Sequence, residues 1–416
     1  MAKKPKLPTD LAPLAAALES ARVSNGFNAF IHGEIVSVLL TIFPFGGGLA
    51  DTERRSALYA GISRAAALGE ITAKSLSGAI RLEERALLSA PSRDFLLASH
   101  LSFTLHGVPR PTTFKSGIRL VTQLPQEILE ARKLIDPAIS EDDRLVRNYT
   151  GIIARVKARN VGHGFELAIN RLDLLRGIWN FAHTRRTIWG STSDPTTPIT
   201  RLRFSRIHTL HETTGALATQ MYWFNPEFRE ERFTSLPLVD WQRMQKYLRS
   251  VQQRLPRIAY RADLERAFIH YGRALDSTDM ESAFLKLWSV LELVSGLGGE
   301  RYDTLLERAA FLFKPDPLTT YVLEHLRYQR NELAHLGHPQ SEMRPLVYQL
   351  KRYVEQMIAV HITLGRHFES LDEAGRFMDL ADTPTTLQRK RALIDRALLF
   401  RRVKKKRKVR SQGRKQ

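Results

Sequence analysis

The sequence predicts an α+β protein, with an N-terminal mixed α/β domain over residues 1–250 followed by an all-α, up-and-down helical bundle. Three observations carry this reading. At 416 residues, with 43% apolar and 25% charged side chains, the chain is globular and long enough for two domains. Before Pro256, helical and strand-like stretches alternate; after it, only helical periodicity remains. No cysteine is present, which excludes disulfides, thiolate metal sites and a cysteine nucleophile and points to a cytosolic protein.

In the first region, residues 11–21 (LAPLAAALESA), 55–68 (RSALYAGISRAAAL) and 76–90 (LSGAIRLEERALLSA) repeat apolar residues at helical spacing. Residues 35–45 (IVSVLLTIFPF) are too short to span a bilayer and contain Pro44, so they read as a buried strand or helix. Strand-like stretches occur at Leu101–Leu105, at Ile118–Leu124 and from Arg201 in RLRFSRIHTL. Leu172, Leu175 and Trp179 form the apolar face of a helix around RGIWNFAH, which reads as core packing. Residues 187–200 are a Ser/Thr/Pro/Gly loop, and 239–255 a helix stopped by Pro256.

The second region reads as five helices with short connections. The first covers Ile258–Ala274, with Ser277-Thr278-Asp279 as break and cap. The next, ESAFLKLWSVLELVSG, presents Phe284, Leu285, Trp288, Leu291 and Leu293 on a broad apolar face. A third runs over 300–313, and a fourth from Asp316 or Pro317 to His335. The last covers Met343–Leu364, apolar at Leu346, Val347, Leu350, Val354, Met357 and Ile358.

Charge is unevenly placed. The formal net charge is +20, and residues 384–416 carry 14 Lys or Arg against Asp395 alone. Within this segment QRKRALIDRALLFRRV reads as a short amphipathic helix that could dock on the body, on a second subunit or on a membrane surface. Lys404, Lys405, Lys406, Arg407 and Lys408 then form a block suited to phosphate polymers, RNA above all; the alternative is a solubilising end. In a eukaryote, KKKRKV would serve as a nuclear import signal. The basic start of the chain is interrupted by Pro8 and Asp10, with no uniform apolar core after it, unlike a secretory signal, and no membrane span is expected.

The candidate chemistry lies in YQRNELAHLGH, Tyr328–His338, where four residues separate Arg330 from His335. With 46 arginines and 13 histidines in the chain, about one or two such pairs arise by chance, and Arg206/His211 is a second. The surroundings therefore carry the reading. Val322, Leu323, Leu326 and Leu333 form a buried stripe, and Arg327, Asn331 and His335 share the opposite ridge with Arg330 beside it. His335 sits at the helix C-terminus, where the helix dipole favours its imidazolium by about 0.3–1 kcal/mol. A group titrating near neutrality beside a fixed cation and an amide suits proton transfer next to a phosphate. The plain alternative is a solvated helix face. His335 and His338 could also form a His-x2-His metal pair; His208 and His211, on a strand, would point to opposite faces. Gly46-Gly47-Gly48 lacks the Lys-Ser/Thr of a phosphate loop and reads as a turn.

SAFLKLWSVLELVSG, then LRYQRNELAHLGH and a closing amphipathic helix, resemble a HEPN domain, particularly its ApeA-like branch, over about residues 257–368. The resemblance implies a helical bundle that forms a homodimer or higher homo-oligomer, bringing two Arg-x4-His motifs to one cleft that cuts single-stranded RNA without metal or cofactor. Arg330 would then neutralise the scissile phosphate, Asn331 orient it and His335 move protons. Glu292 could pair with an arginine or histidine of the site or stabilise the bundle, and Arg327 and His338 are further supporting candidates. Residues 1–250 would be a sensor or regulator. A ribonuclease joined to one suits a toxin or an antiviral defence effector released by a phage or nucleic-acid trigger in the cytoplasm of a bacterium. The rival expectations are a non-catalytic RNA- or nucleotide-binding module and an oligomeric scaffold.

Overall fold

A computed structural model describes residues 9–23, 26–105, 112–114, 116–185, 198–228, 234–297, 302–313, 316–336, 342–380 and 383–412. The protein is α+β, with a six-stranded antiparallel sheet in its N-terminal part and helices alone in its C-terminal part. Two compact units form, Met1–Leu172 with Phe204–Ser235, and Asp173–Arg203 with Leu236–Gln416. The single boundary read near residue 250 thus becomes several crossings of the chain.

The first unit begins with α1 (Ala12–Ser20), a strand pair β1 (Arg22–Val23) and β2 (Gly26–Phe27), then α2 (Ala29–Ile42), α3 (Asp51–Ala67) and α4 (Ala73–Ser89). The apolar run at 35–45 is mostly helix, started by the Asn28 side chain, which accepts hydrogen bonds from the Phe30 and Ile31 amides. Thr72 and Ser75 cap α4 reciprocally. Leu18, Val36, Leu39, Leu58, Ile62, Leu76 and Ile80 close the core of these four helices.

The sheet follows. Its strands are β3 (Arg93–Leu101), β5 (Thr112–Thr113), β6 (Ile118–Val121), β7 (Thr150–Ala158), β8 (Ile207–His211) and β9 (Leu217–Phe224), with a short β4 (Phe103–Leu105) outside it. Spatial order is β5-β6-β7-β3-β8-β9. The strand expected at 101–105 is present, interrupted at Ser102, and the longer strand before it carries the sheet. The main strand ends at Leu101, and its register is set by β7, from Arg93 opposite Ala158 to Leu101 opposite Thr150. Side chains of one parity face one side, so Leu96, Ala98 and His100 share a face of β3. Helix α5 (Gln126–Lys133) covers that face, with Ala98, Val121, Leu124, Ile128 and Ile153 as its buried contact. Helix α6 (Pro137–Leu145) leads on towards β7. Helix α7 (Val161–Thr184) then gives its first half to this unit and its second half to the other.

A short β10 (Thr234–Leu236) lies mostly in the first unit, and the second continues after it through α8 (Leu238–Arg254), α9 (Arg261–Asp276), α10 (Met280–Val294), α11 (Tyr302–Phe311), α12 (Pro317–Leu336), α13 (Met343–Leu364), α14 (Leu371–Met378) and α15 (Pro384–Gln412). Helix α10 packs against α9, α12 and α13, and α11 against α12 and α14. Asp279 caps α10 by accepting from the Glu281 and Ser282 amides. The wide face of α10 is buried at Leu287, Val290 and Val294 besides Phe284, Trp288 and Leu291, while Leu285 and Leu293 are only half-buried.

The end of α7 belongs here because its charges are held here. Arg176, 2% exposed, is gripped by Asp173 at 2.6 Å and by Asp276 at 2.6 Å. Burial opposes its charge, but the two carboxylates more than offset that and raise its pKa. The chain after residue 368, where the HEPN resemblance ends and a basic amphipathic helix and tail were expected, is divided as well. The two Asp379 oxygens accept from Nε and Nη2 of the Arg308 guanidinium, each at 2.7 Å, tying α14 to α11. Helix α15 alone extends beyond this, as one helix of 29 residues rather than a short helix and a tail. It is free of glycine and of proline after Pro384 and rich in Arg, Lys and Leu, so nothing interrupts it. Among the described residues no helix is long and apolar enough to cross a membrane.

Candidate active site

The motif helix α12 buries Leu323, Leu326, Leu333 and, at the same spacing, Gln329. Val322, expected in that stripe, is half-buried. At about 100° per residue, Tyr321, Tyr328, Asn331 and His335 fall opposite the stripe, and Arg330 falls nearer its edge. Asn331 is exposed and Arg330 half-buried, consistent with that wheel. An arginine five residues before a histidine starts on another part of the helix surface, so the side chain has to reach round. Arg330 Nη1 donates to Asn331 Oδ1 at 3.3 Å, which draws the guanidinium towards the Asn331 ridge.

Arg327 has other commitments. Its guanidinium pairs with Asp303 of α11 at 2.5 Å and with Glu324, one turn earlier, at 2.6 Å. With 30% of the side chain exposed, these pairs join two helices and leave Arg327 with its charge balanced. Glu292 accepts the indole hydrogen of Trp288, four residues earlier on α10, at 2.8 Å. His335 stands in the last turn of α12. Its side chain, all of His338 and the side chains of Lys404, Lys405, Lys406, Arg407 and Lys408 lie outside the described residues.

The other histidine pair lies in the sheet, each ring already bonded. His208 Nδ1 meets Ser99 Oγ at 2.7 Å; His211 meets Thr209 Oγ1 and the Gly215 carbonyl oxygen, each at 2.8 Å. Burial above all lowers the His211 pKa to about 4, so the ring is neutral at pH 7. Among the described residues no group of three or more His, Asp or Glu side chains gathers as metal ligands would.

A further feature, a cavity, has almost no signature in the sequence. In the first unit, a cavity of about 350 Å³ is lined by His100, Leu124, Leu129, Lys133, Arg147 and Tyr149, among others. His100 is 6% exposed, and its Nδ1 has no hydrogen-bond partner among the protein's groups. The one sequence signal was a polar pair, Ser99-His100, inside an apolar run. Taken alone it indicates only a strand interrupted by polar residues.

The chain matches no family model, no curated protein and no solved structure.

Proposed function

We propose that the second unit is a HEPN-type, metal-independent endoribonuclease acting on single-stranded RNA. The observation that carries the reading is the outward ridge of α12, where Asn331 lies in solvent with the Arg330 guanidinium hydrogen-bonded to it and His335 one turn further on. In this reading His335 takes the proton of a ribose 2′-hydroxyl, whose oxygen attacks the adjacent phosphorus. The bond from phosphorus to the 5′-oxygen breaks and that oxygen takes up a proton from solvent, leaving a 2′,3′-cyclic phosphate and a 5′-hydroxyl. Arg330 neutralises the charge growing on the phosphoryl oxygens, and Asn331 orients the group. The nucleophile belongs to the substrate, so no Ser, Cys or cofactor is called for, and DNA is inert.

Homodimerisation is part of the proposal. Tyr321 is 75% exposed and Tyr328 48% exposed, and together with His335 they recur at heptad spacing on the outward face of α12. Two copies meeting through this face would bury the tyrosines and bring two motifs together. Tyr321→Glu with Tyr328→Glu is expected to convert a dimer to a monomer in sedimentation and to abolish cutting. A dimer unchanged by both substitutions rejects this interface. The wider role, a toxin or antiviral effector in a bacterial cytoplasm released by a phage or nucleic-acid trigger, rests on analogy.

The test is cleavage of a labelled mixed-sequence RNA in EDTA. His335→Ala and Arg330→Ala are each expected to lower the rate by roughly 100-fold or more, and a 2′-deoxy substrate to stay intact. Cutting that both variants retain would assign the activity elsewhere. One observation favours a second reading, a non-catalytic RNA-binding module: α15 is exposed over nearly all of residues 384–401, and the 384–412 sequence is strongly basic. That reading predicts salt-sensitive RNA binding without any cyclic-phosphate product.

A further inference from the structure

We propose that the first unit binds a mononucleotide in the cavity between α5 and the segment leading from α6 into β7, independently of any ribonuclease chemistry. His100 lines it and is buried. The residue sits last on the β3 face that α5 covers, where Leu96 and Ala98 precede it, and the helix packing continues past it to Leu124 and Leu129. A buried ring nitrogen without a protein partner is uncommon, because hydrogen-bonding groups taken out of water are normally satisfied. Here the unsatisfied atom belongs to a residue that lines a cavity.

The remaining wall sets the ligand's chemistry. Lys133, Arg144 and Arg147 line it with a single carboxylate, Asp143. That carboxylate is already chelated by the fully buried Arg132, through Nε at 3.1 Å and Nη2 at 2.6 Å. Glu130 holds Lys133 at 2.8 Å from outside the cavity, and the exposed Arg147 adds positive charge at the wall. Arginine forks suit a phosphate dianion. Leu124, Leu129, Val146 and Tyr149 supply apolar surface beside these cations, which a bare anion would not use and a planar base would. Gln123, Gln126 and the His100 ring offer donors and acceptors for a base edge. Burial, with the nearby Arg132 charge, holds the His100 pKa at about 3, so the ring presents one donor and one acceptor at neutral pH. A cavity of about 350 Å³ matches one small ligand and is too small for a polymer.

The experiment is calorimetric titration of the full chain with AMP, GMP, CMP and UMP, with adenosine and inorganic phosphate as partial ligands. At least one monophosphate is expected to bind, tenfold or more tightly than either partial ligand. Arg147 is exposed, so Arg147→Glu should leave the fold intact and weaken binding at least tenfold. His100→Gln, which keeps one donor and one acceptor, tests the buried ring and should weaken binding several-fold. Replacing Lys404, Lys405, Lys406, Arg407 and Lys408 by glutamine should change nothing. The assignment is overturned if no monophosphate binds at millimolar concentration, or if phosphate alone binds as well. It is equally overturned if Arg147→Glu has no effect, or if neutralising the C-terminal block abolishes the signal.

Discussion

Helices α12 and α13 are neighbours in the chain and treat their polar residues in opposite ways. Helix α13 buries Arg344, Lys351, Glu355 and His361, none more than 6% exposed. Lys351 Nζ lies 2.9 Å from Glu355 Oε1 and donates to the Thr184 carbonyl oxygen at 2.8 Å, while Glu355 also accepts from the Tyr271 hydroxyl. His361 bridges the Tyr260 hydroxyl at 2.9 Å and the Val294 carbonyl oxygen at 2.6 Å. On α12 the buried stripe is nearly all apolar, and Asn331 stands in solvent. A polar group whose hydrogen bonds are used up inside the fold is structural; one held at the surface beside a cation is available to a ligand. Histidine number or spacing does not separate the two cases. Environment does.

The comparison breaks most sharply at Lys351. Lys351→Met leaves the buried Glu355 without its cation, and losing one partner of such a pair costs about 3–5 kcal/mol. Denaturant unfolding followed by circular dichroism measures it. Replacing Glu355 by leucine in the same chain should restore much of the loss, since the uncompensated charge goes with it. A loss under about 1 kcal/mol for Lys351→Met alone would show that α13 does not depend on this pair.

A smaller effect is expected from His361, through pH. Burial lowers its pKa from 6.5 to about 4, against the opposing pull of the Val294 carbonyl. Both ring nitrogens are in use with a single proton, Nε2 donating to Val294 and Nδ1 accepting from Tyr260. The unfolded ring takes up a proton below about pH 6.5 and the folded ring only near pH 4, so the stability this residue contributes is complete above the higher value. It is lost as the pH falls between the two, by roughly 3 kcal/mol in all. His361→Gln should flatten the dependence of the unfolding midpoint over that window relative to the wild type. Parallel curves would assign the acid sensitivity to other groups, such as His100 and His211.

How much of this was legible in the sequence follows from the same contrast. The bounds of α13 and nearly all of α12 can be read directly, because Leu346, Val347, Leu350, Val354 and Leu323, Leu326, Leu333 repeat at helical spacing. Strands β7 and β9 cannot. The run TGIIARVKA is buried along most of its length and lacks alternation, and LATQMYWF is largely exposed. Buried polar residues are hidden for a different reason. The partners of Arg176 include Asp276, and that of Lys351 includes Thr184, far along the chain, so no local pattern announces them. The motif residues were found because their spacing is local. The His100 cavity was missed because it is assembled from β3, α5 and the approach to β7.

The smallest stability effect is expected at a residue given a part in the proposed chemistry. Asn331→Ala removes an exposed side chain whose hydrogen bond to Arg330, at 3.3 Å, is long, so the unfolding free energy should move by no more than about 0.5 kcal/mol. RNA cleavage should nonetheless fall by roughly tenfold or more, because the amide would orient the phosphate and turn the Arg330 fork towards it. Arg330→Lys sharpens the point, since an ammonium keeps the charge but has no planar fork, and it should cost activity without costing stability. If Asn331→Ala instead lowered stability by as much as a kilocalorie while leaving cleavage unchanged, the ridge of α12 would belong with the buried groups of α13. The difference between the two helices would then be one of exposure alone.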